Sequence, residues 1–306
     1  RWLSSATQWG NQQHYEKVRR LRAYNLTRPE AERLRYFGVD LISEDERSDA
    51  AAWLANLMEN LPDTAPADLL ALREASAAFD PETFPAIAER ALTSLATDGG
   101  STDGLETLNL AAVQHLTKNM LMSLQGAGRY DAIPSNITAM VEEFGIGDDE
   151  PLYGFWGLFH AMKAVVNETG RPLALRLAEA GLPFSDRIVT FSMVYADSDQ
   201  NMPSRILPSA LQDEGPFTEL PMGQNNPYLM YLYGIGDLRA VAGGAPVSIF
   251  SLYNEGSPYI GKTRLRTQTG LLTQVFKFEI TPPEQQPSDY VILVEGSPAL
   301  TAWTGE

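Results

Sequence analysis

The stretch Leu152–Lys163 constrains this chain more than any other. Leu152–Phe159 are all aliphatic, aromatic or glycine, and the acidic turn Asp148-Asp149-Glu150-Pro151 precedes them. A short uncharged run bounded by turn residues predicts the central strand of a parallel sheet, buried on both faces. The residue just past the carboxyl end of such a strand faces the crevice where α/β proteins bind ligands. Here that residue is His160, one of three histidines, at the start of a predicted helix over 161–166.

The rest of the chain supplies layers for such a sheet. Residues 1–24 read as an amphipathic helix with a basic outer face, and Leu34–Ile42 as a strand with Asp40 near its end. The charged loop Glu44–Asp49 leads into helices predicted over 50–60, 66–79, 82–96, 104–125 and 131–144, with prolines near several starts, where proline is tolerated. In the longest helix Leu105, Leu108, Ala112, Leu116, Met120 and Leu124 recur every three or four residues, a core-facing stripe. Residues 44–147 thus form a helical layer inserted between the first two strands. Further strands are expected at Arg187–Tyr195, Pro246–Tyr253, Leu271–Ile280 and Asp289–Val294, and a helix at Pro172–Ala180. The Pro-, Ser-, Asp- and Asn-rich segment Ala196–Asn226 reads as a long loop or lid. The expectation is one α/β domain over 1–306, with a mostly parallel central sheet flanked by helices.

Charge and composition exclude several functions. With 23 Lys and Arg against 39 Asp and Glu, the net charge of −16 opposes a nucleic-acid partner, because such binding is carried by cations neutralising phosphates. No run reaches the roughly 20 apolar residues of a membrane helix. The chain has no cysteine, so disulfides and thiolate chemistry are excluded. It begins at Arg1-Trp2-Leu3, as a trimmed or mature product does, and Asn-x-Thr sequons occur at Asn25, Asn136 and Asn167. These features tilt localisation toward a secreted or periplasmic protein. Oligomeric state is not encoded in any motif.

Few motifs carry chemistry. No Walker loop, His-Glu-x-x-His zinc helix or Gly-x-Ser-x-Gly elbow occurs. A neutral imidazole at a strand end can accept a proton from water or hold a metal, so His160 is the candidate base, and a divalent metal is compatible with it. The plainer role for His160 is to hydrogen-bond backbone or cap its helix. Asp40 either orients a histidine or caps a loop. Lys118 and Asn119 lie mid-helix, where a solvated face is the simpler reading, and His14 and His115 lie inside helical patterns that imply surface or packing roles. Tyr228, Tyr231 and Tyr233 either line a pocket or pack in the core.

Taken in order, these pieces resemble the erythromycin esterase-like family of the wider Tiki and haem-uptake superfamily. Leu21-Arg22-Ala23-Tyr24-Asn25 resembles its Leu-Arg-x-Tyr-Asn helix end, and Tyr36-Phe37-Gly38-Val39-Asp40 its Tyr-Gly-x-Asp strand. Lys118-Asn119-x-x-Met122 resembles its Arg-Asp-x-x-Met helix with both polar positions changed. Leu152–His160 is similar to the strand that closes with a histidine, and Asp289–Val294 with Ala299–Ala302 to the last strand and tail. The resemblance implies an α/β hydrolase-like fold in which a histidine activates water to cleave an ester. Carried over, it makes His160 and Asp40 catalytic, and Lys118, Asn119, Tyr24 and Trp156 substrate-contacting. The family's first catalytic motif, Gly-Glu followed by His and Glu, precedes the Leu-Arg-x-Tyr-Asn helix, and nothing in this chain matches it. Either a front portion is missing, or the principal base is lost. The alternatives are then a non-catalytic module holding a haem-like or hydrophobic small ligand under a lid at 200–235, and a secreted structural or assembly protein.

Overall fold

A computed structural model describes residues 11–97, 107–147, 150–168, 170–204, 207–215, 217–226, 230–255, 257, 267–268, 280–281 and 285–301. The first ten residues of the predicted N-terminal helix, the loop at 98–103, Tyr228, Ala302 and residues 271–279 of one predicted strand lie outside this set. The chain forms two compact units, Tyr36–Tyr153 and Arg1–Arg35 with Gly154–Glu306.

The first element, α1 (Gln12–Leu26), belongs to the second unit and is capped by Asn11, whose side chain accepts from His14 N at 2.7 Å. Five helices then build the first unit: α2 (Arg47–Leu57), α3 (Ala67–Ala77), α4 (Phe84–Thr97), α5 (Thr107–Leu124) and α6 (Arg129–Glu143). Their apolar positions recur at helical spacing and meet in one core. Ala51, Leu54 and Met58 from α2 and its end pack with Leu69 and Leu72, with Phe84, Ala88 and Ala91, and with Val113, Leu116 and Met120. A capping box formed by Ser43 and Glu46 opens the turn before α2. Arg47 then closes the far end of α5, donating from its guanidinium to Ser123 Oγ at 2.9 Å and to Ser123 O at 2.7 Å.

The second unit carries β1 (Val165–Val166), α7 (Leu173–Glu179), β2 (Phe191–Ala196), β3 (Gln200–Pro203), β4 (Phe217–Leu220), β5 (Asn225–Asn226), β6 (Met230–Leu232), α8 (Ile235–Ala242), β7 (Val247–Ser251), β8 (Thr267–Gln268), β9 (Ile280–Thr281) and β10 (Tyr290–Glu295). Its main sheet has the order β2-β10-β7. Central β10 runs parallel to β2, pairing Tyr290 with Phe191 and Glu295 with Ala196, and antiparallel to β7. Val194, Val291 and Leu293 point to one face and pack with Ile235 and Leu238 of α8. This alternation is the period-two signature of a strand covered on one side. Gly243 ends α8 with a left-handed φ of 62°, a conformation open to glycine at no steric cost.

The architecture is α/β, with helices beside small mixed sheets. A mostly parallel sheet is not what the described strands form: β2–β10 is their one parallel pairing, and the other five are antiparallel. The expected strand Leu152–Phe159 has no ladder and runs into the 3-10 turn that begins at Leu158, and Tyr153 and Phe155 are 95 % and 65 % exposed. Apolar composition reports what a segment could bury, while a strand also needs neighbours for its backbone groups, and none of the described strands pairs with it. The expected helix at 161–166 is replaced by a single 3-10 turn over Leu158–Ala161 and by β1. Leu34–Ile42 also has no ladder, so the five helices of the first unit precede the first described strand instead of separating two. The segment 196–226 contains the β3–β4 hairpin, so its described part is not one irregular loop.

Candidate functional site

In the first unit, helices α5 and α6 hold the segment Gly38–Ile42 with side chains. A ring nitrogen of His115, Nε2, lies 3.2 Å from Gly38 O, and Asn136 Nδ2 donates to Val39 O at 3.1 Å. Asn119 Nδ2 donates to Asp40 O at 2.8 Å, and its Oδ1 accepts from Ile42 N at 3.1 Å. The Asp40 carboxylate accepts two bonds from Arg129, at 2.6 Å from Nε and 2.5 Å from the terminal nitrogen. This fork-to-carboxylate bond pushes the Arg129 guanidinium above its ordinary value, against the partial burial that lowers it.

Beside the clamp lies a buried carboxylate. The Glu143 side chain is 7 % exposed; one oxygen accepts from Lys118 Nζ at 2.5 Å, and the other faces His115 Nδ1 at 3.7 Å. Neither Glu143 Oε2 nor His115 Nδ1 has a hydrogen-bond partner among the described residues. At 3.7 Å the imidazole and the carboxylate stand just beyond direct hydrogen-bond reach.

In the second unit, His160 is half-buried in the 3-10 turn, its N–H donating to Gly157 O at 2.9 Å and Phe159 standing edge-on to its ring at 5.7 Å. Three residues on, Lys163 Nζ donates to Ile188 O at 2.8 Å and to both oxygens of Asp289, at 3.2 and 3.0 Å. Thr190 N and Oγ1 donate to Asp289 Oδ2 at 2.7 and 3.1 Å. Thr190 and Asp289 stand just before β2 and β10, so this anchor grips the amino ends of the parallel pair. His160 is therefore tethered to the amino ends of those strands, not set at a carboxyl end. The carboxyl ends are closed by Arg239, which donates to Glu295 at 2.7 Å and to Asp197 at 2.5 Å. Asp197 holds a left-handed φ of 48°.

Tyr24 lies on α1 with the Arg28 guanidinium 4.8 Å from its ring, on an open groove of about 610 Å³ lined also by Gln12, Glu16, Lys17 and Leu34. Trp156 is half-buried and folds back over Gly154, leaving no room there for a Cβ. The six residues read from the sequence thus divide: Asp40, Lys118 and Asn119 come together in the first unit, and Tyr24, Trp156 and His160 belong to the second. His115, Glu143, Arg129, Asn136, Lys163 and Asp289 were not singled out for chemistry. The spacing of His115, Lys118 and Asn119 on one helix face was the available signal for the first of these. Among the described residues, no group of three or more His, Asp or Glu side chains is placed to hold a metal ion, and no helix is long and apolar enough to cross a membrane.

No protein-family model matches the sequence, and no curated protein matches it. Among solved structures, a mutant of the erythromycin esterase EreC in its open conformation is similar, with a TM-score of 0.51 and 12 % identity over 93 % of this chain and 73 % of that one. The likeness is one of fold: the chain adopts an α/β fold like that of this erythromycin esterase.

Proposed function

We propose that this protein is an ester hydrolase of the erythromycin esterase type, in which His160 draws a proton from water as that water attacks an ester carbonyl of a small molecule. Support comes first from the fold likeness, which spans 93 % of the chain. It comes second from the place of His160, a half-buried imidazole on a short 3-10 turn. General-base catalysis needs an imidazole within hydrogen-bond reach of the attacking water, with a working pKa near neutrality. Tyr24 and Trp156, in the same unit, supply aromatic surface for the apolar part of a substrate. In the first unit Asp40 acts as a fixed carboxylate, its two oxygens held by Arg129. There the Lys118 ammonium, 44 % exposed, pairs with Glu143, and the Asn119 carboxamide is spent on backbone.

The experiment is hydrolysis of 4-nitrophenyl acetate and of a macrolide lactone by the full chain and by His160→Ala. Loss of about 100-fold or more in kcat is expected, the usual contribution of a general base. Equal turnover by His160→Ala would sink the assignment.

The exposure of Tyr153 and Phe155, both beside Gly154, favours a second reading: a module that binds a hydrophobic ligand without turning it over. Titration with haem and with a non-hydrolysable hydrophobic ester separates the two, since tight binding with no turnover supports the module.

A further inference from the structure

We propose that the groove along α1 binds an amphiphilic anion, with a carboxylate held by Lys17 and Arg20 and a medium-length apolar chain lying along Leu21, Tyr24 and Leu34. The site is independent of the reading of His160 as a base. It begins with helical spacing. Gln13, Lys17, Arg20, Leu21 and Tyr24 recur at steps of three or four residues, so they share one face of α1. With Leu34 beyond the helix they line the groove of about 610 Å³, a volume in the range of small-molecule sites. No residue of α1 is buried, and Tyr24 and Leu34 are 41 % and 53 % exposed, so the groove offers apolar surface to solvent. Its whole lining belongs to the second unit.

Charge decides which amphiphile fits. Helix α1 carries Lys17, Arg19, Arg20 and Arg22 against Glu16 alone, in a chain of net charge −16. An anion repelled by most of this protein is drawn to this helix. Within the lining Glu16 is already engaged, 3.5 Å from Arg19 and accepting from Gln12 at 3.4 Å. Lys17 Nζ lies 5.0 Å over the Phe155 ring, a contact that keeps its charge, and Arg20 pairs with no carboxylate among the described residues. These two cations stand midway along the lined stretch of helix, with Leu21, Tyr24 and Leu34 after them in the chain. Arg28 is turned to other partners, the Tyr24 ring at 4.8 Å and Glu32 at 3.5 Å. A carboxylate seated at Lys17 and Arg20 therefore lays its chain on the apolar end. From Lys17 to Tyr24 the helix rises about 10 Å at about 1.5 Å per residue. Carbon–carbon bonds of about 1.5 Å give octanoate about the same reach.

The test follows the amide signals of the full chain in ¹H–¹⁵N spectra during titration with octanoate, 1-octanol and octyltrimethylammonium. Octanoate is expected to move the amides of α1. An exposed ion pair is worth at most about fivefold in affinity, so two of them should give octanoate about a tenfold advantage over 1-octanol, with the ammonium weakest. A fully buried methylene is worth about fourfold, so in this open groove affinity should climb about two- to fourfold per methylene from butanoate to octanoate. Lys17→Gln and Arg20→Gln should bring octanoate down toward 1-octanol, while Arg20→Lys, which keeps the charge, should retain most of the advantage. Tyr24→Ala should weaken both ligands alike. Arg22→Gln removes the same charge from α1 outside the lining and should leave both in place. The proposal is overturned if octanoate binds no tighter than 1-octanol, if Arg22→Gln costs as much as Arg20→Gln, or if the shifted amides lie away from α1. It is also overturned if octanoate binds only once dilution has dissociated a dimer, since the groove is then the seat of a second copy. Ester hydrolysis enters none of these readings, so loss of the His160 assignment leaves the site standing.

Discussion

Asn119 grips the chain on both sides of Leu41: its amide nitrogen donates to Asp40 O at 2.8 Å, and its amide oxygen accepts from Ile42 N at 3.1 Å. A residue of a neighbouring parallel strand would make the same two bonds, to the carbonyl before and the amide after its partner. The carboxamide of a helix residue has taken the place of a strand. With Asn119 only 4 % exposed, the substitution of one peptide-like group for another satisfies both backbone atoms away from water.

Asn119→Ala is therefore expected to destabilise the helical unit by about 1–3 kcal/mol, the cost of leaving such groups without a partner. Asn119→Asp, which installs the acid of the Arg-Asp-x-x-Met pattern, keeps an acceptor for Ile42 N but points a carboxylate at Asp40 O. It should be no better than Ala near neutral pH. Urea unfolding of the three proteins measures this, and an Asp variant as stable as the parent would contradict the bridge.

Phe84 is the largest side chain with no exposure in the helical core, and it meets Phe79 edge-on at a centroid distance of 5.4 Å. Phe84→Ala leaves a cavity that the surrounding α2, α3 and α5 residues fill incompletely, so a loss of about 3–5 kcal/mol is expected. Trp53, on α2 but 60 % exposed, provides the contrast: Trp53→Ala should stay within about 0.5 kcal/mol. Denaturation midpoints with unchanged slopes report both values. Equal effects would show that the core is not where the helix periodicity places it.

The same periodicity explains what was legible beforehand. Helices α2 to α6 were readable because an amphipathic stripe is a local property: Leu116 and Met120 face the core at the spacing that announced them. Strands β2, β7 and β10 were readable for the same reason, as short β-rich runs between turn residues. The strand at 152–159 failed because a ladder is a non-local property. Its residues have the composition of a buried strand, yet Tyr153 is almost fully exposed. The segment at 38–42 shows the converse: it has no ladder, yet its backbone is held by His115, Asn119 and Asn136 from helices far along the chain. The site followed the same division. Lys118 and Asn119 could be picked from one helix face, whereas Glu143 and Arg129 join them only through tertiary packing.

His14 gives the fold a pH dependence of known sign. Partial burial, with Lys17 one turn away as the smaller cause, lowers its pKa from 6.5 in the folded chain. A histidine with a depressed folded value binds fewer protons folded than unfolded, so stability rises with pH through the interval below 6.5. The contribution is complete above 6.5 and is lost as the pH falls from there toward the folded value. Two measurements check it. The His14 ring signal should titrate with a midpoint below 6.5, and the acid-side decline in melting temperature over that interval should be shallower in His14→Gln, which cannot take up the proton. A His14 midpoint at or above 6.5, or an unchanged decline in the Gln variant, would show that this imidazole is not partly buried in the folded chain.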